Sequence, residues 1–438
     1  MIRYYTRLAV LSLRQTPLLT GLMVGTIGVG IGVFMAALTV YYLMANNPIS
    51  WKSERLYAVQ LDSWDPAEPW DDERPELAPW ELTWRDAMAL RESDLPLRQA
   101  AMYKVSIVVQ SEREGVKPFQ TVARVTDGNF FALFDIPFVY GSAWDRAVDD
   151  AGQFQVVISR KMNEELFGGE DSVGRTVRIQ DKPFVVAGVT ETWNPVPKFY
   201  DVNNGPFDDA EEVFVPMGVG RALELYSAGN TNCWKDEEVR TYQQFLESEC
   251  VWWQYWVELP DVAQRDAYQD YLDQYVSEQK TLGRFPRPLN NQLSNVAEWL
   301  DVRRVVRRDN QVLVVLSFLF LGVCLFNTIG LMLTKFLGKA PHIGIRRALG
   351  ASRAAVFRQQ LVEVGAIGVA GGIAGLCLAW LSLAGIRKLF PGYEELAQLD
   401  LTLVGTAIAA SILTTLVAGL YPVRRVCATA PARYLRLQ

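Results

Sequence analysis

The sequence predicts a membrane protein with four transmembrane α-helices and a large α+β domain inserted between helices 1 and 2. Two observations support this: four stretches contain no charged residue, and residues 46–310 carry nearly all of the acid. Each stretch exceeds the roughly 20 apolar residues that a helix needs to cross a ~30 Å hydrocarbon core. Lipid offers no hydrogen-bond partners, so each stretch is predicted to be helical. The four stretches are 15–51, 311–334, 364–386 and 401–423.

The spacing of these stretches divides the chain into nine segments. They are a cytoplasmic amphipathic N-terminal segment (1–17), transmembrane helix 1 (18–45), an α+β domain (46–310), transmembrane helix 2 (311–337), a cytoplasmic loop (338–360), transmembrane helix 3 (361–386), a short periplasmic loop (387–401), transmembrane helix 4 (402–423) and a cytoplasmic tail (424–438).

Charge predicts the orientation. Residues 46–310 contain 28 Lys and Arg against 45 Asp and Glu, a net charge of −17, whereas the rest of the chain carries +11. Basic residues of short loops stay on the cytoplasmic side of a membrane. The N-terminal segment, the 338–360 loop and the tail are basic, although four arginines within 303–308 oppose this pattern. We therefore expect both termini on the cytoplasmic side of the membrane and the acidic domain on its outer side.

The acidic domain shows patterns of both strands and helices. Alternating apolar residues predict a hairpin from 104–110 and 119–125, and short strands at 156–158, 176–179, 184–189 and 251–259. A helix is expected over 261–280, with Asp261 as its N-cap. Long loops are expected at 61–100 and 193–250. We expect two lobes, with Tyr41–Arg55 and Glu298–Asp309 extending the first two membrane helices as a stalk.

The cysteines and the single histidine limit the kinds of chemical site that the chain can contain. Cys233 and Cys250 lie in the acidic domain, where an oxidising compartment would allow a disulfide, although two free thiols are equally compatible with the sequence. His342 is the only histidine and lies outside this domain. Histidine-based catalysis is thus excluded there, and no pattern indicates a metal site or catalytic residues.

Several residues in the predicted membrane helices suggest helix packing. Small residues allow close approach of two helices, although glycine is also simply common in membrane helices. A polar amide would form a hydrogen bond between helices, and Glu363 would form a structural ion pair, with Arg358 within reach. The predicted packing residues are Gly21, Gly25, Gly28, Gly32, Asn327, Glu363, Gly368 and Gly372.

The loop between helices 2 and 3 contains a short amphipathic segment bounded by Pro341 and Gly350. Ile343, Ile345 and Leu349 are expected to form an apolar side, and two arginines a cationic one. Such a helix could dock into a groove of a soluble partner. It could equally rest on anionic lipid head groups.

This segment resembles the signature of the FtsX-like/MacB-type ABC transporter permeases, Glu-Ile-Gly-x-Arg-Arg-Ala-Leu-Gly-Ala. The resemblance extends to Asn129-Phe130-Phe131, to Leu166-Phe167-Gly168 and to Gly419-Leu-Tyr-Pro-Val-Arg-Arg, and so covers essentially the whole chain. It implies a protein of the bacterial inner membrane whose acidic domain lies in the periplasm, and it implies that the segment is a coupling helix that contacts an ATPase. The implied coupling residues are His342, Ile343, Gly344, Ile345, Arg346, Arg347, Ala348, Leu349 and Gly350.

The resemblance also implies partners. Permeases of this family dimerise, so a second permease chain, identical or different, is expected. They transmit ATP-driven motion of cytoplasmic ABC ATPase subunits to the periplasmic domain, and MacB-type exporters work with a periplasmic adaptor and an outer-membrane channel. Substrates would be antibiotics, peptides or lipid-linked molecules.

Two features depart from the family pattern. The sequence contains no G-x-x-x-x-G-K-[ST] phosphate-binding loop, and Gly338-Lys339-Ala340 lacks both the hydroxyl and the glycine spacing. ATP and Mg²⁺ are therefore expected on a separate ATPase chain, with no cofactor bound by this one. Secondly, His342 replaces the usual acidic residue, which indicates either a specialised half of a heterodimer or drift at a tolerant position.

Three functions remain compatible with this sequence. The first is an exporter permease of the MacB type, and the second is a lipoprotein-releasing permease with the same topology. The third is a non-transporting mechanotransmission regulator of periplasmic cell-wall hydrolases, which usually has a smaller outer domain. An enzyme would need a nucleophile and base within 46–310, where histidine is absent.

Overall fold

The computed structural model describes residues 2–428, except for residues 112, 114, 116, 307 and 390–400. The chain divides into two compact units. Met1–Ala45 and Val306–Gln438 form the helical unit, and Asn46–Val305 form the sheet unit. Most of the loop expected at 387–401, and the last ten residues of the expected tail, lie outside the described residues.

The described residues form fourteen α-helices, six of them in the helical unit. Helices α1 to α14 are Ile2–Gln15, Pro17–Met44, Trp84–Leu90, Asn129–Leu133, Arg146–Ala151, Arg160–Phe167, Met217–Ala222, Tyr242–Glu247, Val262–Thr281, Val296–Val302, Arg308–Gly338, Ala340–Ala348, Arg353–Leu389 and Leu401–Ala428.

Among the described residues, three helices are long and apolar enough to cross a bilayer. They are Pro17–Met44 in α2, Asp309–Gly338 in α11 and Arg353–Gly385 in α13. Helix α14 covers the fourth predicted span over 28 residues. Its crossing of the membrane remains a prediction.

Helix α13 begins eight residues before the predicted start of the third span. Ser352 precedes the helix and its hydroxyl accepts a hydrogen bond from the backbone N–H of Ala355 at 3.1 Å, as an N-cap does. The following residues, Arg353–Gln360, are mostly strong helix formers. The loop expected over 338–360 is thus largely helical and contains α12 and the first turns of α13.

Two of the predicted packing glycines lie where α2 meets α13. A Cβ atom at Gly28 would lie 3.0 Å from the Cβ of Ala374, and one at Gly32 would lie 2.8 Å from the Cβ of Leu378. Contacts of this length leave no room for a larger side chain. The glycines therefore allow the two backbones to approach closely.

Helix α13 meets α14 in the same way on another side. A Cβ atom at Gly368 would lie 3.0 Å from the Cβ of Thr415, and one at Gly372 would lie 3.0 Å from the hydroxyl of Ser411. The Ser411 hydroxyl donates to the carbonyl of Gly368 at 2.7 Å. A side chain–backbone hydrogen bond therefore reinforces this helix pair.

Three of the other predicted packing residues, Gly21, Gly25 and Asn327, have no such role within the described part of this chain. A Cβ atom at Gly21 or Gly25 would meet no described atom within 4 Å. Asn327 is exposed on α11, and its side chain forms no hydrogen bond with any described residue. Its neighbours Cys324 and Thr328 point inwards instead. Among the described residues, Asn327 therefore does not form the hydrogen bond predicted for it across a helix interface, because its side chain is exposed on α11.

The sheet unit is built on one ten-stranded sheet. Strands β1 to β10 are Leu56–Gln60, Arg98–Gln110, Phe119–Thr126, Phe138–Gly141, Gln155–Ser159, Thr176–Ile179, Lys182–Thr190, Val213–Pro216, Gln254–Glu258 and Gln292–Asn295. Their order is β10-β1-β9-β2-β3-β8-β5-β7-β4, with β6 paired to β2 and β7. The β3–β8 and β5–β7 pairs are parallel and the others antiparallel. The two expected lobes share this sheet.

Helices and loops cover both faces of the sheet. Successive side chains of a strand point to opposite faces. In β5, accordingly, Val156 and Ile158 belong to one buried apolar cluster and Val157 to another. The cluster around Val157 is rich in aromatic rings, among them Phe130 and Trp256.

Most of the predicted elements of the acidic domain are confirmed. The expected hairpin is the antiparallel pair β2–β3, and the Asp261 carboxylate caps α9 by accepting from the N–H of Gln264 at 2.9 Å. The loop expected at 193–250 is partly wrong, because it contains β8, α7 and α8. Strand β8 escaped prediction because all four of its residues are buried, which removes any alternation.

The expected helical stalk is absent from the described residues. Helix α2 ends at Met44, and turns follow it up to Arg55. Helix α10 ends at Val302, and α11 starts only at Arg308. Between them Arg304 has a φ of +48°, which is incompatible with a continuous right-handed helix.

A buried ionic cluster lies among the aromatic rings of the sheet unit. Arg124 of β3 is fully buried, and its guanidinium lies 2.5 Å from a carboxylate oxygen of both Asp201 and Glu211. The Lys198 ammonium lies 3.4 Å from Glu211, and the Tyr200 hydroxyl donates to Glu211 at 2.9 Å. Two cations thus balance two carboxylates where water does not reach.

The cluster shifts the titration of Glu211. Burial alone raises the pKa of a carboxyl group, but the charges of Arg124 and Lys198 outweigh it and lower the pKa of Glu211 to about 2. This pKa lies below the ordinary value of 4.5. The resulting stabilisation is therefore present above pH 4.5 and is lost as the pH falls towards 2.

We expect Arg124→Met to lower the free energy of unfolding of the sheet unit by about 3–5 kcal/mol, because two carboxylates would remain buried without their main partner. Tryptophan fluorescence during urea unfolding of the full chain in detergent measures this. Twelve of the thirteen tryptophans lie within 46–305 and report on this unit.

Arg160→Met is the matched control, since Arg160 forms an exposed ion pair with Glu191. Its unfolding midpoint should equal that of the wild type. The wild type should also lose stability between pH 4.5 and 2, and this loss should be smaller in Arg124→Met. Equal stability of both variants would refute a structural role for the cluster.

Candidate functional site

The segment predicted to couple to a partner forms a separate short helix, α12, between α11 and α13. Pro341 occupies the first turn of α12, where a missing N–H costs nothing. Beyond its last turn Gly350 adopts a φ of +101°, and its N–H donates to the carbonyl of Arg347 at 3.1 Å. A left-handed glycine of this kind ends a helix sharply. Pro341 and Gly350 therefore bound a separate helix of nine residues between the long helices α11 and α13.

The apolar residues of α12 point in two directions. Ile343 and Gly344 are buried against the helical unit, whereas Ile345 and Leu349 are 49% and 83% exposed. Helical residues follow one another by about 100°, so Ile345 lies about 200° from Ile343 and close to Leu349. The single apolar side expected from the sequence is therefore wrong. Ile343 fixes the helix, and Ile345 and Leu349 form an apolar outer surface.

The two arginines of α12 also differ. Arg346 is exposed and donates to the side-chain carbonyl of Gln359 at 2.6 Å. Arg347 is half-buried and donates to the backbone carbonyl of Cys427 at the end of α14, at 3.3 Å. Arg346 is therefore available at the outer surface, whereas Arg347 links α12 to α14.

Immediately before α12, two lysines share one carboxylate. The Lys335 ammonium lies 2.8 Å from Oε1 of Glu363, and the Lys339 ammonium lies 3.1 Å from the same oxygen. Lys335 and Glu363 are almost fully buried. This trio, Lys335, Lys339 and Glu363, is called the carboxylate joint below.

The carboxylate joint connects four helices. Lys335 and Lys339 flank the end of α11, and Glu363 belongs to α13. Lys335 also donates to the Thr20 hydroxyl of α2 at 3.2 Å, and Lys339 donates to the Ser12 hydroxyl of α1. Polar contacts therefore tie the start of α12 to every helix around it.

The expected pairing of Glu363 with Arg358 is wrong. Arg358 donates to the carbonyl of Ala354 in its own helix. Five residues along a helix correspond to a rotation of about 140°, so the two side chains point away from each other. The ion pair exists, but its partners come from α11.

The remaining predicted site residues are also described. His342 is exposed on α12. Cys233 and Cys250 form a disulfide, with their Cα atoms 4.2 Å apart, which joins the two ends of the segment that contains α8. Among the described residues, no three His, Cys, Asp or Glu side chains are grouped in a way that could hold a metal ion.

The sheet unit contains a candidate site that the sequence did not indicate. A cavity of about 170 Å³ is lined by aromatic residues such as Trp84 and Trp253, together with Arg91 and Asp149. Burial, with the nearby Asp127 charge, raises the pKa of Asp149 to about 7. Drug-sized ligands occupy roughly 300–1,000 Å³, so this cavity admits only a small group.

No signal in the sequence could have identified this cavity or the partners of Glu363. Arg91 and Asp149 are 58 residues apart and bond at 3.3 Å, and Lys335 and Glu363 meet only because α11 and α13 pack side by side. Both depend on tertiary contacts, which a single sequence does not reveal.

Comparison with protein families accounts for both units. Residues 20–275, more than half of the chain, match the MacB-like periplasmic core domain. Residues 314–431 match the FtsX-like permease C-terminal domain. The two matches together include α2, most of the sheet unit and α11 to α14.

The curated relatives are larger proteins. The chain is 24% identical over 314 residues to the pyoverdine export ATP-binding/permease protein PvdT of Pseudomonas aeruginosa, covering 71% of this chain and 41% of that protein. It is 25% identical over 349 residues to the macrolide export ATP-binding/permease protein MacB of Azoarcus sp., covering 78% and 46%. The chain thus spans less than half the length of these relatives.

Solved structures of similar domains also exist. The periplasmic region of MacB from Actinobacillus actinomycetemcomitans covers 57% of this chain at 13% identity, with 92% of that structure covered and a TM-score of 0.37. With the two family matches accounting for its sheet unit and its membrane helices, the chain belongs to the MacB-like, FtsX-like family of ABC transporter permeases.

Proposed function

We propose that the chain is the permease subunit of a MacB-type ABC exporter, in which α12 receives the motion of a cytoplasmic ATPase. One observation carries this proposal: α12 presents Ile345, Arg346 and Leu349 outwards while Ile343 and Arg347 hold it from behind. A membrane helix bundle needs no such exposed tip for its own stability.

The exposed tip has the chemistry of a docking helix. Soluble proteins accept short amphipathic helices in grooves, where apolar side chains provide affinity. Leu349 and Ile345 would enter such a groove, and Arg346 would pair with a carboxylate at its rim. Because the carboxylate joint connects the start of α12 to α1, α2 and α13, a displacement of the tip would reach these helices together.

ATP hydrolysis is assigned to the docked partner. The 438 residues contain no phosphate-binding loop, and the helix tip offers no cradle for a nucleotide. ATP and Mg²⁺ would therefore bind to an ATPase on a partner chain. The relatives PvdT and MacB are both named ATP-binding/permease proteins, which supports such a pairing of functions.

The proposed topology has four spans, α2, α11, α13 and α14, with both termini in the cytoplasm. The basic residues around α12 and on α1 support this orientation. The Cys233–Cys250 disulfide supports a periplasmic sheet unit, because disulfides persist in oxidising compartments. The chain enters the sheet unit directly after α2 and leaves it directly before α11.

The sheet unit would act on substrates in the periplasm. PvdT and MacB are named for pyoverdine export and macrolide export. By analogy we propose antibiotics, peptides or lipid-linked molecules as substrates here. A second permease chain, a periplasmic adaptor and an outer-membrane channel would complete the assembly.

The docking surface is tested by Arg346→Glu combined with Leu349→Asp. We expect this variant to reduce the amount of ATPase that co-purifies with the full chain from native membranes at least about tenfold, corresponding to about 1.4 kcal/mol. Arg14→Glu is the control, because it reverses an exposed charge on α1 and should retain the ATPase. Full retention in the α12 variant would refute the docking assignment.

The topology is tested by labelling with a membrane-impermeant maleimide. In a background with Cys324, Cys377 and Cys427 replaced by serine, Asp209→Cys should react from the periplasmic side because residue 209 is exposed. Leu349→Cys, which is matched in exposure, should react only in inverted vesicles. The reverse result for the two variants would overturn the orientation.

A further inference from the structure

A cavity of about 300 Å³ lies in the helical unit between α1, α12 and α13. Its walls combine two chemistries. Leu8, Leu11 and Val356 are apolar, whereas Lys339, His342 and Arg346 present nitrogen donors. The docking proposal uses Arg346, which also lines this cavity, but it gives no role to the other lining residues.

The cavity has an excess of positive charge. Among the described residues, Lys335 and Lys339 share the single carboxylate of Glu363, so one ammonium charge has no counterion there. Both ammonium groups are largely shielded from water, and a shielded cation needs an anionic partner. Arg346, which is exposed, adds a further positive charge to the cavity wall.

A second observation points to a ligand. Gln360 lines the same cavity and is only 4% exposed, and its side-chain oxygen has no hydrogen-bond partner among the described residues. A buried acceptor without a donor is costly. The missing ligand should therefore carry a hydroxyl or another donor as well as a negative charge.

The third observation is the apolar wall. Leu11 is 52% exposed on α1, an amphipathic helix that also carries Arg7 and Arg14. Helices of this type lie at the boundary between head groups and acyl chains. An acyl chain would cover Leu8 and Leu11, which a small hydrophilic anion would leave exposed.

We propose that this cavity binds the head group of an acidic phospholipid with hydroxyl donors, such as phosphatidylglycerol. The phosphate would lie between Lys339 and Arg346, with His342 as a further donor. A head-group hydroxyl would donate to Gln360. Basic cavities next to membrane helices recognise anionic head groups in this way. The inference depends on membrane insertion but not on ATPase docking.

The bound lipid would have a structural consequence. Its phosphate would bridge α11 through Lys339 and α12 through Arg346, on the side of α12 that faces α1. The acidic lipid would thus fix the angle of the coupling helix. Lipid composition would then affect how the exposed tip is presented.

The test is native mass spectrometry of the full chain in detergent, titrated with phosphatidylglycerol or phosphatidylcholine. The wild type should retain about one phosphatidylglycerol per chain and prefer it to phosphatidylcholine at least about fivefold, as expected for ~1 kcal/mol per basic contact. Gln360→Glu should abolish this preference, because it supplies the missing negative charge with almost no change of shape. Lys339→Gln should also reduce it.

Arg358→Ala is the control, because it removes an exposed cation of α13 that does not line the cavity. It should retain the lipid. Equal retention of both lipids by the wild type, or unchanged preference in Gln360→Glu, would overturn the proposal. Displacement of the lipid by millimolar inorganic phosphate would assign the site to a soluble anion. If both cavity variants kept the lipid but lost the co-purifying ATPase, the cavity would be assigned to the protein partner instead.

Discussion

The helical unit depends on one buried carboxylate. Glu363 accepts two lysines on a single oxygen, and these lysines also reach hydroxyl groups on α1 and α2. Loss of one member of a buried ion pair costs about 3–5 kcal/mol, because the remaining charge is left without compensation. Four helices are therefore held in one arrangement at the point where α12 begins. The joint fixes the start of α12, and the buried Ile343 and the Arg347 hydrogen bond to α14 hold the rest of that helix.

Both units use buried charged groups to hold separate elements in one arrangement. In the sheet unit, Arg124 joins a central strand to carboxylates from a distant loop, inside an aromatic layer. In the helical unit, Glu363 joins helices that are otherwise packed through glycines. Apolar packing alone would permit several similar arrangements, whereas a charge that needs its partner permits one.

The sequence revealed most of what depends on local chemistry. The absence of charge located three helices that are long and apolar enough to cross a bilayer, alternation located β2 and β3, and Asp261 marked the start of α9. Prediction from the sequence failed for the features that depend on tertiary contacts. Strand β8 has no alternation because both of its faces are buried, and the helical continuation into a stalk is broken at Arg304 by a left-handed residue.

The same limit applies to the proposed coupling site. Spacing identified α12, but the direction of each of its residues depends on the helices that surround it. The most direct test is hydrogen exchange of the full chain in lipid nanodiscs, comparing the wild type with Glu363→Gln. The account predicts at least about tenfold faster exchange in α1 and α12, corresponding to about 1.4 kcal/mol of lost local stability, with the sheet unit unchanged. Unchanged protection of α12 would contradict it.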